Sequence, residues 1–169
     1  MTINLNIPVY IFTTKFGYYI SLVIHYLLKQ NNITSIITNN IDLSIDNLYI
    51  ILFSQKVNVY PKNYIIYQLE QYNISKWVDK KYKLSILFSK KTLDYSYSNI
   101  NKFDDILKKN ITFFNIPWIQ YENLINYKIN EPILYDVLFY GSMNDSRKKK
   151  INYLQRTLKN IKFKIHNNL

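Results

Sequence analysis

The sequence has 169 residues, no cysteine, a formal net charge of +11 and an apolar fraction of 48%. This length and apolar content fit one domain of ordinary size, or a domain with a fragment of another. The absence of cysteine excludes disulfides and thiolate metal sites, and the two histidines argue against a histidine-rich metal centre. No apolar run reaches the roughly 18 residues that span a bilayer, and no secretory signal is evident, so we expect a cytoplasmic protein without a membrane span.

The first part of the chain has the pattern of alternating strands and helices. The β-branched run "IPVYIFTT" is followed by helical spacing in "KFGYYISLVIHYLLKQNN", where Ser21, His25 and Lys29 form a polar stripe that we expect to face solvent. The runs "ITSIIT", "LYIILFS" and "NYIIYQL" have little polar alternation, which is typical of strands buried on both faces of a parallel sheet. The pattern predicts an α/β, Rossmann-like parallel sheet with flanking helices.

The region from Trp77 to Asn110 predicts a helix, a strand "KLSILFS", a short strand "KTLDYS" and a helix opened by Ser98 or Asn99. Another strand is predicted within "ITFFNIPWIQYENL", which also contains a proline turn. The weak periodicity and the proline that follow indicate a linker. We therefore predict a Rossmann-like domain over residues 1–123 and a linker over residues 124–133.

Residues 134–169 predict one β-α-β unit. The strand "ILYDVLFYGS" precedes a helix that Asn144 or Asp145 would cap, and Ile151, Leu154 and Leu158 fall on one face of this helix. The alternating run "IKFKIH" predicts the second strand. A unit of about 30 residues is the usual size of such a crossover.

The chain has only two glycines, and both follow predicted strands. Gly17 comes after the first strand of the first half, and Gly141 comes after the first strand of the second half. At such strand-to-helix turns a glycine allows a positive φ or a close approach of the backbone to a ligand. The alternative is that Gly141 only closes a tight turn.

Three stretches resemble one family of proteins: "YIIYQLEQYNISKW", "LDYSYSNI" and "YDVLFYGSMNDSRKKKI". They are similar, in order and approximate spacing, to blocks of glycosyltransferase-like proteins of the two-Rossmann-domain GT-B type from bacteria and large DNA viruses. The resemblance implies that residues 1–123 are the acceptor-side domain. It also implies that residues 134–169 begin a truncated donor-side domain, which a partner chain would complete. In the family two arginines follow the Asn-acidic pair, whereas Ser146 and Arg147 stand there in this sequence.

The resemblance implies transfer of a sugar from a nucleotide-sugar donor to an unknown acceptor, with no cofactor. No two acidic residues are two positions apart, so the Asp-x-Asp signature of metal-dependent transferases is absent, and we expect no metal. GT-B enzymes bind the diphosphate with helix N-termini and basic side chains, which Gly141, Ser142 and Arg147 would provide, with Gly17 at the equivalent turn of the first half.

Glu70 and Asp94 are the candidate catalytic residues. Glu70 follows the predicted strand "YIIYQL", and Asp94 lies at a similar strand end, where open α/β sheets gather their ligands. Either carboxylate can contact the acceptor or act as general base. A surface or helix-capping role remains the alternative for both. His25 has suitable chemistry for a base, but its stripe predicts a solvent-facing residue, and we assign His166 no role.

Eight lysines and arginines lie from Arg147 to Lys164, and they are the basis for an alternative function, nucleic-acid binding. They could bind nucleic-acid phosphates, although a solvated helix face is the commoner outcome and we do not expect nucleic acid as a partner. Three classes therefore stay open from sequence: a glycosyltransferase, a non-catalytic remnant that binds a saccharide or a partner, and a basic nucleic-acid binder.

Overall fold

A computed structural model describes residues 7–72, 76–117, 119, 136–140 and 143–166. The chain divides into two compact units, Met1–Tyr127 and Lys128–Leu169. The predicted linker at residues 124–133 lies outside the described residues, as do both of its boundaries. The division into residues 1–123 and 134–169 therefore stays a prediction.

The first unit contains a six-stranded sheet in the order β2-β1-β3-β4-β5-β6. Every neighbouring pair of strands is parallel. The strands are β1 (Val9–Phe12), β2 (Ser35–Thr38), β3 (Leu48–Ile51), β4 (Asn63–Gln68), β5 (Lys91–Asp94) and β6 (Ile111–Phe113). The predicted α/β, Rossmann-like parallel sheet is confirmed.

Helices flank the sheet because its strands are apolar on both faces. Successive side chains of a strand point to opposite faces, and in β1 both Ile11 and Phe12 are buried. Ile11 packs in one cluster with Ile24 of α1 (Tyr18–Gln30). Phe12 packs in another cluster with Ile86 of α2 (Lys80–Phe88). The sheet thus separates two apolar layers, as is usual for parallel sheets.

The strand order reverses direction at β1, which has β2 on one side and β3 on the other. In open α/β sheets, ligands bind outside the carboxyl ends of the strands near such a reversal. The carboxyl ends of β3, β4 and β5 continue along the same edge. This edge is therefore where the fold would place a site.

The predicted strand "KLSILFS" is wrong, because its first six residues belong to α2 and Ser89 caps the end of this helix. The side chain of Asp79 accepts a hydrogen bond from the backbone N–H of Tyr82 at 2.8 Å and so caps the helix. Tyr82, Ser85 and Ile86 are buried at the three- and four-residue spacing of one helix face. A short apolar run does not distinguish a strand from a buried helix by periodicity alone.

The single helix predicted to start at Ser98 or Asn99 is also wrong. Two one-turn helices stand there instead, α3 (Tyr97–Ile100) and α4 (Asp105–Lys108). The side chain of Ser96 caps the first helix, and Asp104 Oδ1 caps the second by accepting the N–H of Leu107 at 3.0 Å. A new cap at Asp104 restarts the helix, so the apolar residues around it do not form one continuous face.

The second unit contains the predicted β-α-β arrangement: β7 (Val137–Tyr140), α5 (Asp145–Thr157) and β8 (Phe163–His166). β7 and β8 are parallel neighbours. Asn144, one of the two predicted caps, accepts the backbone N–H of Arg147 through Oδ1 at 2.9 Å. Ile151 is buried, whereas Leu154 and Leu158 are exposed.

Candidate functional site

The carboxyl ends of β4 and β5 bring the two predicted acidic residues into one hydrogen-bond network. Gln68 ends β4 and lies opposite Asp94, which ends β5. The side-chain amide of Asn99 donates to the backbone oxygen of Glu70 at 2.9 Å and to Oδ1 of Asp94 at 3.3 Å. Asn99 Oδ1 in turn accepts the backbone N–H of Tyr72 at 3.2 Å. One amide side chain therefore ties the two strand ends together.

Asp94 is a fully buried member of this network, with 0% of its surface exposed. Its Oδ1 also accepts the backbone N–H of Ser96 at 2.8 Å. Its Oδ2 is buried and has no hydrogen-bond partner among the described residues. Burial raises the pKa of Asp94 to about 6, against the opposing effect of the bonds from Ser96 and Asn99. The carboxyl group therefore holds the turn before α3 and can change its protonation state near neutral pH.

Gln68 of β4 and Tyr82 of α2 extend the network into the interior between the sheet and this helix. Gln68 is fully buried, and its Oε1 accepts both the hydroxyl of Tyr82 and the backbone N–H of Glu70, the latter at 3.0 Å. The Nε2 of Gln68 has no partner among the described residues. Burial raises the pKa of Tyr82 well above its ordinary value, and the negative charges of Asp94 and Glu70 add to this. Tyr82 therefore stays a protonated donor that fixes the orientation of the Gln68 amide.

Glu70 is the more accessible of the two predicted catalytic residues. It is half-buried, and its Oε1 accepts a hydrogen bond from Nε2 of Gln55 at 2.7 Å. Gln68 holds its backbone N–H and Asn99 holds its backbone oxygen. The carboxylate therefore sits on a fixed backbone, beside an amide, at the edge where ligands bind in this type of fold.

Sequence reasoning missed the roles of Asn99, Gln68 and Gln55. The available signal was Gln68, a polar residue that ends the otherwise apolar strand of "NYIIYQL", since a buried polar group requires hydrogen-bond partners. Asn99 was predicted as a helix cap at position 98 or 99, yet it is buried, with 7% exposed. Its contacts with Glu70 and Tyr72 join residues about 29 and 27 positions apart, which no local pattern reveals.

Gly17 lies in the predicted strand-to-helix turn, but its backbone does not need a positive φ. Its φ is −102°, which any residue adopts. The glycine is required for packing, because a Cβ at this position would overlap the ring of Phe53 and would lie 2.7 Å from Oγ1 of Thr13. The close approach predicted here is thus made to the Phe53 side chain.

A groove of about 430 Å³ with both polar and apolar lining residues lies beside this turn. It is lined by residues that follow β1, begin α1 and end β2, including Thr13, Thr14, Lys15 and Asn39. The Oγ1 of Thr14 is buried without a hydrogen-bond partner among the described residues. The groove therefore offers hydroxyl and amide groups at the carboxyl ends of β1 and β2.

The predicted donor-side residues fall in the second unit. Gly141 and Ser142 lie outside the described residues, so their predicted roles stay predictions. Arg147 is exposed in the first turn of α5, close to the positive end of the helix dipole.

His25 does not face solvent as its polar stripe predicted. It is half-buried, and its Nδ1 lies 2.8 Å from Oγ of Ser35 at the start of β2. Ser21 of the same stripe is fully buried and donates its hydroxyl to the backbone oxygen of Tyr18 at 2.6 Å. Ser21 can be buried because the helix backbone accepts the hydrogen bond of its small hydroxyl group, so the polarity of the stripe does not show that it faces solvent. His25 lies toward the amino end of β2, away from Glu70.

Within the described ranges, no three histidine or acidic side chains come together in a way that could hold a metal ion. None of the helices in those ranges is long and apolar enough to cross a bilayer. A scan of the sequence against models of protein families found no match. A search of curated proteins likewise found no significant match.

Proposed function

We propose that this protein is a GT-B type glycosyltransferase, which transfers a sugar from a nucleotide-sugar to an acceptor without a metal ion. The three stretches that resemble this family support the proposal by their positions in the fold. The first stretch crosses the end of β4 and carries Glu70, and the second runs from β5 into α3. The third contains β7 and the start of α5. Each stretch thus crosses the carboxyl end of a parallel strand, where α/β folds bind ligands.

The observation that carries the proposal is the link that Asn99 makes between Glu70 and Asp94. A transferase needs a base at a fixed position, within hydrogen-bond reach of the acceptor hydroxyl. Glu70 has the required partial exposure and is oriented by Gln55. We assign Glu70 as the residue that takes the acceptor proton. Asp94 is a positioning residue, because it contacts Ser96 and Asn99 in the interior.

The donor diphosphate would be held in the second unit by Gly141, Ser142 and Arg147. The cap of α5 by Asn144 supports this assignment, since it fixes the start of a 13-residue helix whose dipole favours an anion. The proposed place of action is the cytoplasm.

Calorimetric titration with uridine and guanosine diphosphate sugars tests the proposal directly. We expect saturable binding of one of these donors and its slow hydrolysis or transfer when saccharide acceptors are added. Binding of neither donor would count against an autonomous transferase and would favour the remnant that binds a saccharide or a partner.

Glu70→Gln is expected to lower the transfer rate by about 10²–10⁴-fold, because this is the usual contribution of a general base. Donor affinity should stay within about twofold, and the folded state should persist, since glutamine preserves the shape and can still bond to Gln55. Asp105→Asn is the matched control, because Asp105 is an exposed carboxylate on α4. An equal rate in the wild type and Glu70→Gln would remove Glu70 from the mechanism.

Nucleic-acid binding is the second candidate function, and the exposure of Lys148, Lys149, Lys150 and Tyr153 on α5 favours it. Binding of single-stranded DNA at two salt concentrations tests this function. Binding driven by phosphate contacts must weaken as salt rises. Affinity that is independent of salt, or absent, would exclude this second candidate.

A further inference from the structure

Two lysines contact one exposed tryptophan on the carboxyl side of the sheet. The Nζ atoms of Lys56 and Lys76 lie 4.9 Å and 5.3 Å from the ring centroid of Trp77. All three residues are exposed, and 39% of the Trp77 surface is accessible. We call these three residues the Lys56–Trp77 cluster. It combines an apolar ring with two positive charges.

The positive charge of the cluster is not neutralised within the part of the chain that the structure describes. The ion pairs found there join Lys62 to Asp46 and Lys108 to Asp105, so no carboxylate of the described residues lies within bridging distance of either lysine of the cluster. Each cation–π contact at an exposed site contributes about 0.5–1 kcal/mol, while the two ammonium groups repel each other. An anion that contacts both ammonium groups would reduce this repulsion.

The cluster lies next to the proposed acceptor site along the chain. Lys56 directly follows Gln55, whose side chain donates to Glu70. Trp77 lies between the end of β4 and the start of α2, in the connection that also contains Glu70. A ligand at the cluster would therefore contact the two connections that carry the proposed base Glu70 and its partner Gln55.

We propose that the Lys56–Trp77 cluster binds an anionic sugar and that the acceptor of the reaction is therefore a saccharide with carboxylate or phosphate groups. This inference rests on the proposed function and names its acceptor class. The accessible part of the indole gives the sugar ring an apolar contact beside the two ammonium groups, as in ligand sites that combine aromatic walls with a few polar groups. The two ammonium groups bind its negative substituent.

The surrounding charges favour a short charged sugar over a nucleic-acid strand. Glu70 and Asp79 lie on the connection between β4 and α2, which also contains Lys76 and Trp77. A continuous phosphate backbone needs an uninterrupted basic track, which these carboxylates interrupt. A ligand with one localised charge does not meet this obstacle.

Tryptophan fluorescence provides the test, because the chain has two tryptophans, Trp77 and Trp118. In Trp118→Phe, Trp77 alone reports binding. The probes are galacturonate and glucose 6-phosphate, each compared with its neutral counterpart, galactose or glucose. We expect a saturable change with one or both charged probes, about tenfold weaker binding of the neutral ones, and loss of affinity as salt rises. Comparing the two charged probes separates carboxylate from phosphate recognition.

The variant Lys56→Ala/Lys76→Ala should weaken binding of the charged probe about tenfold, since each exposed ion pair with the ligand contributes up to a severalfold factor. Lys29→Ala/Lys102→Ala is the matched control, because it removes the same charge from exposed positions elsewhere and should leave affinity unchanged. Calorimetry on the chain with both tryptophans gives the same comparison if Trp118→Phe does not fold.

Three results would overturn the inference: no saturable binding of either charged probe, equal binding of charged and neutral sugars, or tighter binding of oligothymidylate than of the charged sugars at the same lysines. Titration with the nucleotide-sugar donors distinguishes failure of this inference from failure of the proposed function. If the charged sugar binds at the cluster but no nucleotide-sugar binds the protein, the transferase proposal fails and the sugar site stands. If the donor binds and both lysines are irrelevant to the charged sugar, only the acceptor inference fails.

Discussion

The carboxyl ends of β1 and β5 lie on the same edge of one sheet, yet different forces fix the turns that follow them. After β5, the buried carboxylate of Asp94 and the amide of Asn99 hold the turn by hydrogen bonds. After β1, the ring of Phe53 packs against Gly17, which has no side chain to displace. The turn after β5 therefore depends on a titratable group, whereas the turn after β1 depends on packing and on hydrogen bonds of the backbone and of Thr13. One sheet edge can thus contain a region that responds to pH and a region that does not.

The largest effect is expected from Asn99→Ala, which removes the link between the ends of β4 and β5. The substitution leaves the N–H of Tyr72, the backbone oxygen of Glu70 and Oδ1 of Asp94 short of a partner. Each buried group without a partner costs about 1–3 kcal/mol, so we expect a loss of roughly 3–4 kcal/mol in the free energy of unfolding. Urea denaturation measures it. Asn101→Ala, at an exposed position in the next turn, should change stability by less than about 0.5 kcal/mol.

A smaller effect, of about 2–3 kcal/mol, is expected from the titration of Asp94. Its pKa is raised from 3.8 to about 6, so the folded protein binds this proton more tightly than the unfolded chain does. The stabilisation from Asp94 is therefore complete below about pH 4 and is lost as the pH rises to about 6, at about 1.4 kcal/mol for each unit of pKa difference. The check is the difference in unfolding free energy between wild type and Asp94→Asn from pH 4 to pH 7.

Asp94→Asn keeps the oxygen that accepts the N–H of Ser96 but does not titrate. The difference between the two proteins should therefore change across this range, in favour of the variant at the higher pH. A difference that stays constant from pH 4 to pH 7 would show that Asp94 is not the group responsible. The difference in unfolding free energy between wild type and Gly17→Ala should stay constant over the same pH range. The atoms nearest to that glycine belong to Phe53 and Thr13, whose side chains do not titrate there.

The smallest effect is expected from Gly17→Ala, at about 1–2 kcal/mol of unfolding free energy, since overpacking a filled site forces neighbours to shift. The nearest atoms belong to the far end of the Phe53 ring and to Oγ1 of Thr13, so part of the overlap can relax. Phe53→Leu in the same chain should recover some of the loss, which a double-mutant cycle measures. A fully additive pair would contradict packing as the reason for this glycine.

The strands were predictable because apolar, β-branched runs between polar connections identify buried parallel strands. α1 and α5 were predictable from helical spacing, and Asn144 from its residue type. The helix α2 was not, since "LSILF" is equally suitable for a strand and only the cap by Asp79 and the burial of Tyr82 decide between them. Short apolar runs need this tertiary information.

The site was predictable only in part. Strand ends indicated Glu70 and Asp94, because polar residues directly after buried strands gather at one edge. Their different exposure was not evident, since it depends on Asn99 and Gln68 from separate elements. For the same reason His25 was expected in solvent although Ser35 of β2 contacts it. Contacts between distant residues decide which acid is accessible, and a single sequence does not contain them explicitly.

The contact between His25 and Ser35 also bears on how the protein folds. It joins α1 to β2 over ten residues, and the backbone N–H of Ile33 bonds to Leu28 in the connection between them. The unit β1-α1-β2 therefore closes through short loops, whereas joining β1 to β3 encloses a longer segment of chain. Short loops lose less chain entropy and form faster. We accordingly expect β1, α1 and β2 to assemble early and to serve as the template on which β3 adds.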